Sequence, residues 1–179
     1  MIIDQVSTGN GEVVLRIGAA GYEIIVDGQF LMSSASADSS VALVELGLER
    51  LLPKDNLQVC IGGLGLGYSL KTALRYREVQ RVVLVELSAE IIDWHRRGLV
   101  SETVGVLKDR RVEVMNRDFL EFLDDELRHS EERYDLIALD IDNGPAWLSH
   151  PANFQLYSME SLKRLNDLLN PGGVITFWS

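Results

Sequence analysis

The segment Ile61-Gly62-Gly63-Leu64-Gly65-Leu66-Gly67 constrains this chain more than any other. It follows the apolar run Leu57 to Ile61 and precedes a stretch with helical apolar spacing, Tyr68 to Tyr76, so the spacing predicts a strand, a glycine turn and a helix. Glycines adopt positive φ and carry no Cβ, which lets backbone approach a ligand at the start of a helix. Gly63, Gly65 and Gly67 form GxGxG, whereas the dinucleotide spacing GxGxxG fails at Tyr68 in one frame and at Leu70 in the other. An adenosyl cofactor is therefore expected in preference to NAD.

The remainder alternates. Strands are expected at Arg81 to Leu87, Arg111 to Met115, Tyr134 to Leu139 and Gly173 to Trp178, with helices at Ala89 to Arg97, Phe119 to Leu127 and Tyr157 to Leu169. Runs such as Val82-Val83-Leu84-Val85 suit parallel strands buried on both faces, and their alternation with helices predicts an α/β fold with a Rossmann-like, doubly wound, mostly parallel sheet. Ahead of it, Glu12 to Ile17 and Tyr22 to Val26, separated by Gly18-Ala19-Ala20-Gly21, predict a small β-hairpin. Ser33 to Ser40 reads as a small polar connector, and Val41 to Leu52 as a helix that Pro53 stops. The expected division is a hairpin unit with connector over 1–40 and a Rossmann-like S-adenosylmethionine-binding domain over 41–179.

The chain's 179 residues, 46% hydrophobic and 25% charged, fit one globular domain with a small appendage. Its single cysteine, Cys60, has no intramolecular disulfide partner and lies in the apolar run Val59-Cys60-Ile61, which predicts packing. A net charge of -10 opposes nucleic-acid binding, and no apolar run approaches the roughly 20 residues that cross a bilayer. The first residues carry no signal-peptide pattern, so a soluble cytoplasmic protein is expected, without nucleic-acid or membrane partners. The acidic run from Asp118 to Asp142 reads either as solvated helix surface or as a docking site for a cationic substrate. His95, His129 and His150 are scattered, which predicts surface positions rather than a metal site or triad.

Acidic residues complete the candidate site. Glu86, 19 positions after Gly67, falls where the second strand ends and can accept hydrogen bonds from a ribose diol. Asp118 follows the third strand, either as a helix N-cap or as a cap that also contacts an adenine amino group. Asp140, expected at the C-terminal edge of the sheet, is the candidate base. Asp142 and Asn143 are candidates to orient a nitrogen acceptor, with Tyr157 and Trp147 as pocket walls, although Asp140 to Asn143 can also be read as a plain turn ahead of Gly144-Pro145.

These motifs, in this order, resemble the spermidine synthase family of polyamine aminopropyltransferases, within the class I S-adenosylmethionine-dependent methyltransferase superfamily. Gln58 to Gly63 resembles the family's strand into its GGGDGG turn, and Val83 to Leu87 its strand with the ribose acid. Asn116-Arg117-Asp118-Phe119 resembles the adenine motif, Tyr134 to Asp140 the strand that carries the reaction's aspartate, Asn170 to Gly173 the "kpGG" turn, and Val26-Asp27-Gly28 the "lDG" of the N-terminal hairpin. The resemblance implies cofactor contacts at Gly62, Gly63, Gly65, Gly67, Glu86, Asp118 and Phe119. It further implies a small amine acceptor, a homodimer, and two more strands after the one ending at Trp178.

Three departures bear on the reaction. The aspartate of GGGDGG, which in the family faces the aminopropyl amine of the decarboxylated donor, is matched here by Gly65. The second aspartate of the DxxDP loop is out of register after Asp140, and the acceptor motif has no counterpart in Ser36 to Ser40. Gly65 leaves room for a carboxylate, so methyl transfer from S-adenosylmethionine to an amine or other small acceptor is the expected reaction. Aminopropyl transfer from decarboxylated S-adenosylmethionine is the alternative, and a non-catalytic cofactor-binding or dimerising domain a third.

Overall fold

The computed structural model describes residues 1–8, 11–141 and 151–178. Two sheets form the molecule. The first, antiparallel and in the order β1-β2-β3-β4, comprises β1 (Ile2–Thr8), β2 (Gly11–Gly18), β3 (Gly21–Val26) and β4 (Gln29–Ser33). The expected hairpin is β2 and β3, and it gains a strand on each side. β1 buries little and β4 spans only five residues, so neither shows a strong alternating pattern in sequence. The polar connector is helix as well. Ser33 caps a 3-10 turn over Ser34–Ser36, which leads directly into α1 (Ala37–Glu49), four residues before the apolar spacing begins.

The second sheet contains β5 (Leu57–Gly62), β6 (Val79–Glu86), β7 (Val112–Asn116), β8 (Tyr134–Leu139) and β9 (Leu169–Phe177), all parallel, in the order β7-β6-β5-β8-β9. The chain winds outward from β5 to β7, then crosses to β8 and β9 on the other side. This places the topological switch point between β5 and β8.

Alternation along the strands creates a core on each face. Val59, Ile61, Val82, Leu84, Leu136 and Ala138 join one cluster, with residues of α1, α2 (Tyr68–Arg75), α3 (Ala89–Arg97) and the first sheet. Cys60, Val83, Val85, Ile137 and Leu139 join the other, against α4 (Phe119–His129) and α5 (Met159–Asp167). Cys60 is accordingly packed. Three helix starts carry side-chain caps: Ser88 accepts from Ile91 N–H, Asp118 from Leu120 and Glu121, and Ser158 from Ser161. The helix expected over Tyr157 to Leu169 is shorter: Tyr157 ends a 3-10 segment, Pro151–Tyr157, and α5 begins after the Ser158 cap. β9 then begins at Leu169, which pairs with Tyr134. No helix among the described residues is long and apolar enough to cross a membrane.

Candidate functional site

The C-terminal ends of β5, β6 and β8 meet at the glycine turn. Gly62 pairs with Val85 and with Leu139, and Asp140 N–H donates to Gly62 O at 2.8 Å. Gly63, Gly65 and Gly67 have φ of 91°, 48° and 85°, in the left-handed region that favours glycine. Their missing Cβ atoms serve the protein's own packing. A Cβ at Gly62 would stand 2.9 Å from the Phe119 ring, at Gly63 2.4 Å from Asp140 O, at Gly65 2.6 Å from Met32 Sδ and at Gly67 2.8 Å from His95 Cε1. The sequence argument gave only ligand approach as the reason for these glycines, and the packing supplies a second. The turn is folded tightly into the surrounding elements, and the pattern reports that compactness first.

Side chains from four elements hold the turn's backbone. Glu86, 8% exposed, accepts Leu64 N–H through Oε2 and Ser88 N–H through Oε1, both at 2.7 Å. Met32 Sδ accepts Leu66 N–H at 3.3 Å. Thr103 Oγ1 donates to Leu66 O at 2.7 Å, and His95 Nε2 lies 2.9 Å from Gly65 O. A carbonyl only accepts, so His95 carries its proton on Nε2. The histidine expected at the surface is therefore 4% exposed, and burial lowers its pKa. The ring fits against Gly67, where a Cβ would lie 2.8 Å from His95 Cε1, a contact that no local pattern in the sequence reveals.

The acidic residues divide by environment. Burial raises the pKa of Glu86, opposed by hydrogen bonds from the amides of Ser88, Leu64, Gly65 and Leu87. Each of its oxygens accepts one short amide bond, from Leu64 or from Ser88, and a carboxylate oxygen carries a second lone pair. Asp118 caps α4 through Oδ1 alone, with contacts of 2.8 and 3.1 Å, which leaves Oδ2 without a partner among the described residues. Phe119 is buried, between the Gly62 backbone and Phe122 at 5.6 Å.

Asp140 is partly buried and its carboxylate accepts a short hydrogen bond from Ser69 Oγ, with Ser40 as a second hydroxyl partner. Burial raises its pKa, and the two serines act in the opposite direction. Ser69 also reaches Ser40 O at 3.2 Å. Ser69 stands in the first turn of α2, whose N-terminus has no side-chain cap, so the helix dipole there favours the Asp140 anion. Neither serine was evident in the sequence, because 29 residues separate them from each other and 71 separate Ser69 from Asp140.

Tyr157 lies at the end of the 3-10 segment with its ring 5.8 Å from that of Phe177. Asp142, Asn143 and Trp147 lie outside the described residues. The acidic surface of α4 is engaged in ion pairs: Asp124 with Arg164, and Asp125 with Arg117. A cavity of about 650 Å³ opens at the opposite end of the sheet, lined by Arg77, Gln80, Asp109 and Arg111 among others. Arg111 is bound there to Asp109 and to three backbone carbonyls, and the functional elements described above lie elsewhere.

A parallel sheet with a glycine turn, a strand-end acid and a second acid at the switch point defines a Rossmann-like α/β fold. The chain belongs to the spermine/spermidine synthase family: the family's spermine/spermidine synthase domain matches residues 42–179. Polyamine aminopropyltransferases from Saccharolobus islandicus and Sulfolobus acidocaldarius are each 27% identical to it, over 87% and 98% of this chain. The matches cover 49% and 56% of those proteins, so the chain spans about half the length of these relatives. Among solved structures, a spermidine synthase in complex with the transition-state analogue AdoDATO superposes with a TM-score of 0.76 at 20% identity, covering 97% of this chain and 55% of that one. Spermidine synthase from Thermotoga maritima gives 0.75 at 19%, covering 97% and 54%. These likenesses establish the fold.

Proposed function

We propose that this chain binds decarboxylated S-adenosylmethionine at the glycine turn and transfers its aminopropyl group to a small amine. The observation that carries the reading is the position of Asp140, a partly buried carboxylate whose own carbonyl abuts Gly63 at the switch point. Family membership supports aminopropyl transfer over the methyl transfer that the GxGxG spacing suggested, since the matched relatives are aminopropyltransferases.

The residues fit an adenosyl group. Asp118 Oδ2 is free to accept from an adenine amino group, and Glu86 has acceptor capacity for ribose hydroxyls. Phe119, the residue after Asp118, packs against Gly62 of the glycine turn. Bound there, the donor presents a sulfonium: an amine nitrogen bonds to the adjacent carbon as its bond to sulfur breaks, and sulfur leaves as the neutral thioether of methylthioadenosine. Asp140 accepts the proton released by the amine, and its raised pKa makes it a better base than an exposed aspartate. Ser69 and Ser40 fix the carboxylate's orientation. Tyr157, Asp142 and Asn143 remain candidates for the acceptor side.

Calorimetry with the two donors, followed by assay for methylthioadenosine with a short diamine, tests this. The expected result is a preference for the decarboxylated donor and release of the thioether. A preference of roughly tenfold, about 1.4 kcal/mol, for S-adenosylmethionine would restore the methyl-transfer reading. Donor binding without turnover of any amine would favour a non-catalytic binder.

A further inference from the structure

Met32 reaches the glycine turn from the other sheet. In the pairing of β3 with β4, Ile25 faces Phe30 and Ile24 faces Met32, so Leu31 is an extra residue in a bulge. Bulges bend the strand and re-aim the side chains around them. Met32 Sδ here accepts the Leu66 amide at 3.3 Å and lies where a side chain on residue 65 would go, 2.6 Å from the position of its Cβ. A thioether is uncharged and only a weak acceptor. Gly65 and Met32 thus act as one unit, a residue without a side chain and a neighbour that fills its place.

We propose that Met32 is a specificity-determining residue: it occupies the space of a side chain at position 65 and gives the donor-tail wall an uncharged surface. The inference rests on the adenosyl reading of the site. Under it, the wall at position 65 carries no carboxylate to attract the donor's ammonium and exerts no repulsion on a donor carboxylate. Changing selectivity then requires both positions to change, since a carboxylate placed at 65 collides with the thioether.

The test is a double-mutant cycle read by calorimetry, with methylthioadenosine as the probe common to both donors and circular dichroism as the fold check. Gly65→Ala alone should weaken methylthioadenosine by roughly tenfold, and adding Met32→Ala should restore most of that loss. Met32→Leu, which keeps the bulk, should restore none of it. In the Met32→Ala background, Gly65→Asp should raise the preference for decarboxylated over intact S-adenosylmethionine by roughly tenfold. Equal harm from alanine at 65 with or without Met32 would assign the whole effect to the positive φ and overturn the proposal, as would an unchanged donor preference in the double variant. Failure of the native protein to bind methylthioadenosine is a different outcome: it overturns the adenosyl reading itself, and this inference with it.

Discussion

On the Glu86 side of the crevice, each acid makes at least one hydrogen bond within the segment that carries it, although Glu86 also accepts the Leu64 amide of the glycine turn. Glu86 ends β6 and accepts the amide of Ser88 two residues on, while Asp118 caps the helix that follows it directly. On the Asp140 side nothing is local. Asp140 meets Ser69 and Ser40 from two other helices, and Met32 arrives from a different sheet. The first arrangement is anchored largely at two strand-to-helix junctions, β6 to α3 and β7 to α4. The second depends on docking four segments at once, so it can be altered one residue at a time without loss of the fold.

The two sides meet at Gly63, and replacing it should have the largest effect. Gly63→Ala requires a side chain at φ 91° with its Cβ 2.4 Å from a backbone oxygen, and the Asp140 carbonyl can retreat only by stretching the Asp140 N–H to Gly62 O bond. Strain and clash together should cost about 3 kcal/mol or more. A melting temperature lower by roughly 6–12 °C is expected, with binding lost on both sides. A change within about 2 °C would show that the sides are not joined through this contact.

Glu86→Gln should have an intermediate effect and affect only one side. The amide keeps one acceptor oxygen, so either the Leu64 or the Ser88 N–H faces an NH2 group, at a cost of roughly 1–3 kcal/mol. Faster hydrogen exchange at those two amides, with exchange around Ser69 unchanged, would sharpen the contrast. Loss of ligand affinity at unaltered stability would instead make Glu86 a ligand contact alone.

The same contrast explains what the sequence disclosed. The five parallel strands were legible because runs such as Tyr134 to Leu139 are buried throughout, and α3 was legible because Ser88 and Gly98 mark its ends. Glu86, Asp118 and Asp140 were found because each lies at a strand end, a position that spacing alone fixes. The strands β1 and β4 were not legible because neither carries a clear alternation of buried and exposed residues, and the burial of His95 and the roles of Met32, Ser40 and Ser69 were not because each depends on a partner far away in the chain, as with Met32 and Leu66. The glycine pattern was read correctly as a turn but for an incomplete reason, because its empty Cβ positions are filled by Phe119, Asp140, Met32 and His95.

The smallest expected effect concerns Asp140 and has a defined sign with pH. Its folded-state pKa is raised above 3.8, chiefly by burial, with the Ser69 and Ser40 hydroxyls opposing. A carboxyl with a raised folded pKa binds more protons in the native than in the unfolded state over the window between the two values. The group's favourable contribution is therefore complete below the unfolded value and is lost as pH rises through the folded one. Once ionised, the carboxylate sits in a site that resists charge, the stability–activity conflict expected of a catalytic base. Asp140→Asn removes the charge and keeps an oxygen for one serine, while the other serine can accept from the new NH2 group. The variant should melt slightly higher than the native protein at pH 7, by a few °C at most for a chain of about this size, and the gap should close as pH falls towards 4. Ligand binding through Glu86 and Asp118 should persist while transfer activity disappears. A variant less stable than the native protein at every pH would place Asp140 with the structural acids, and the division between the two sides of the crevice would fail at its central residue.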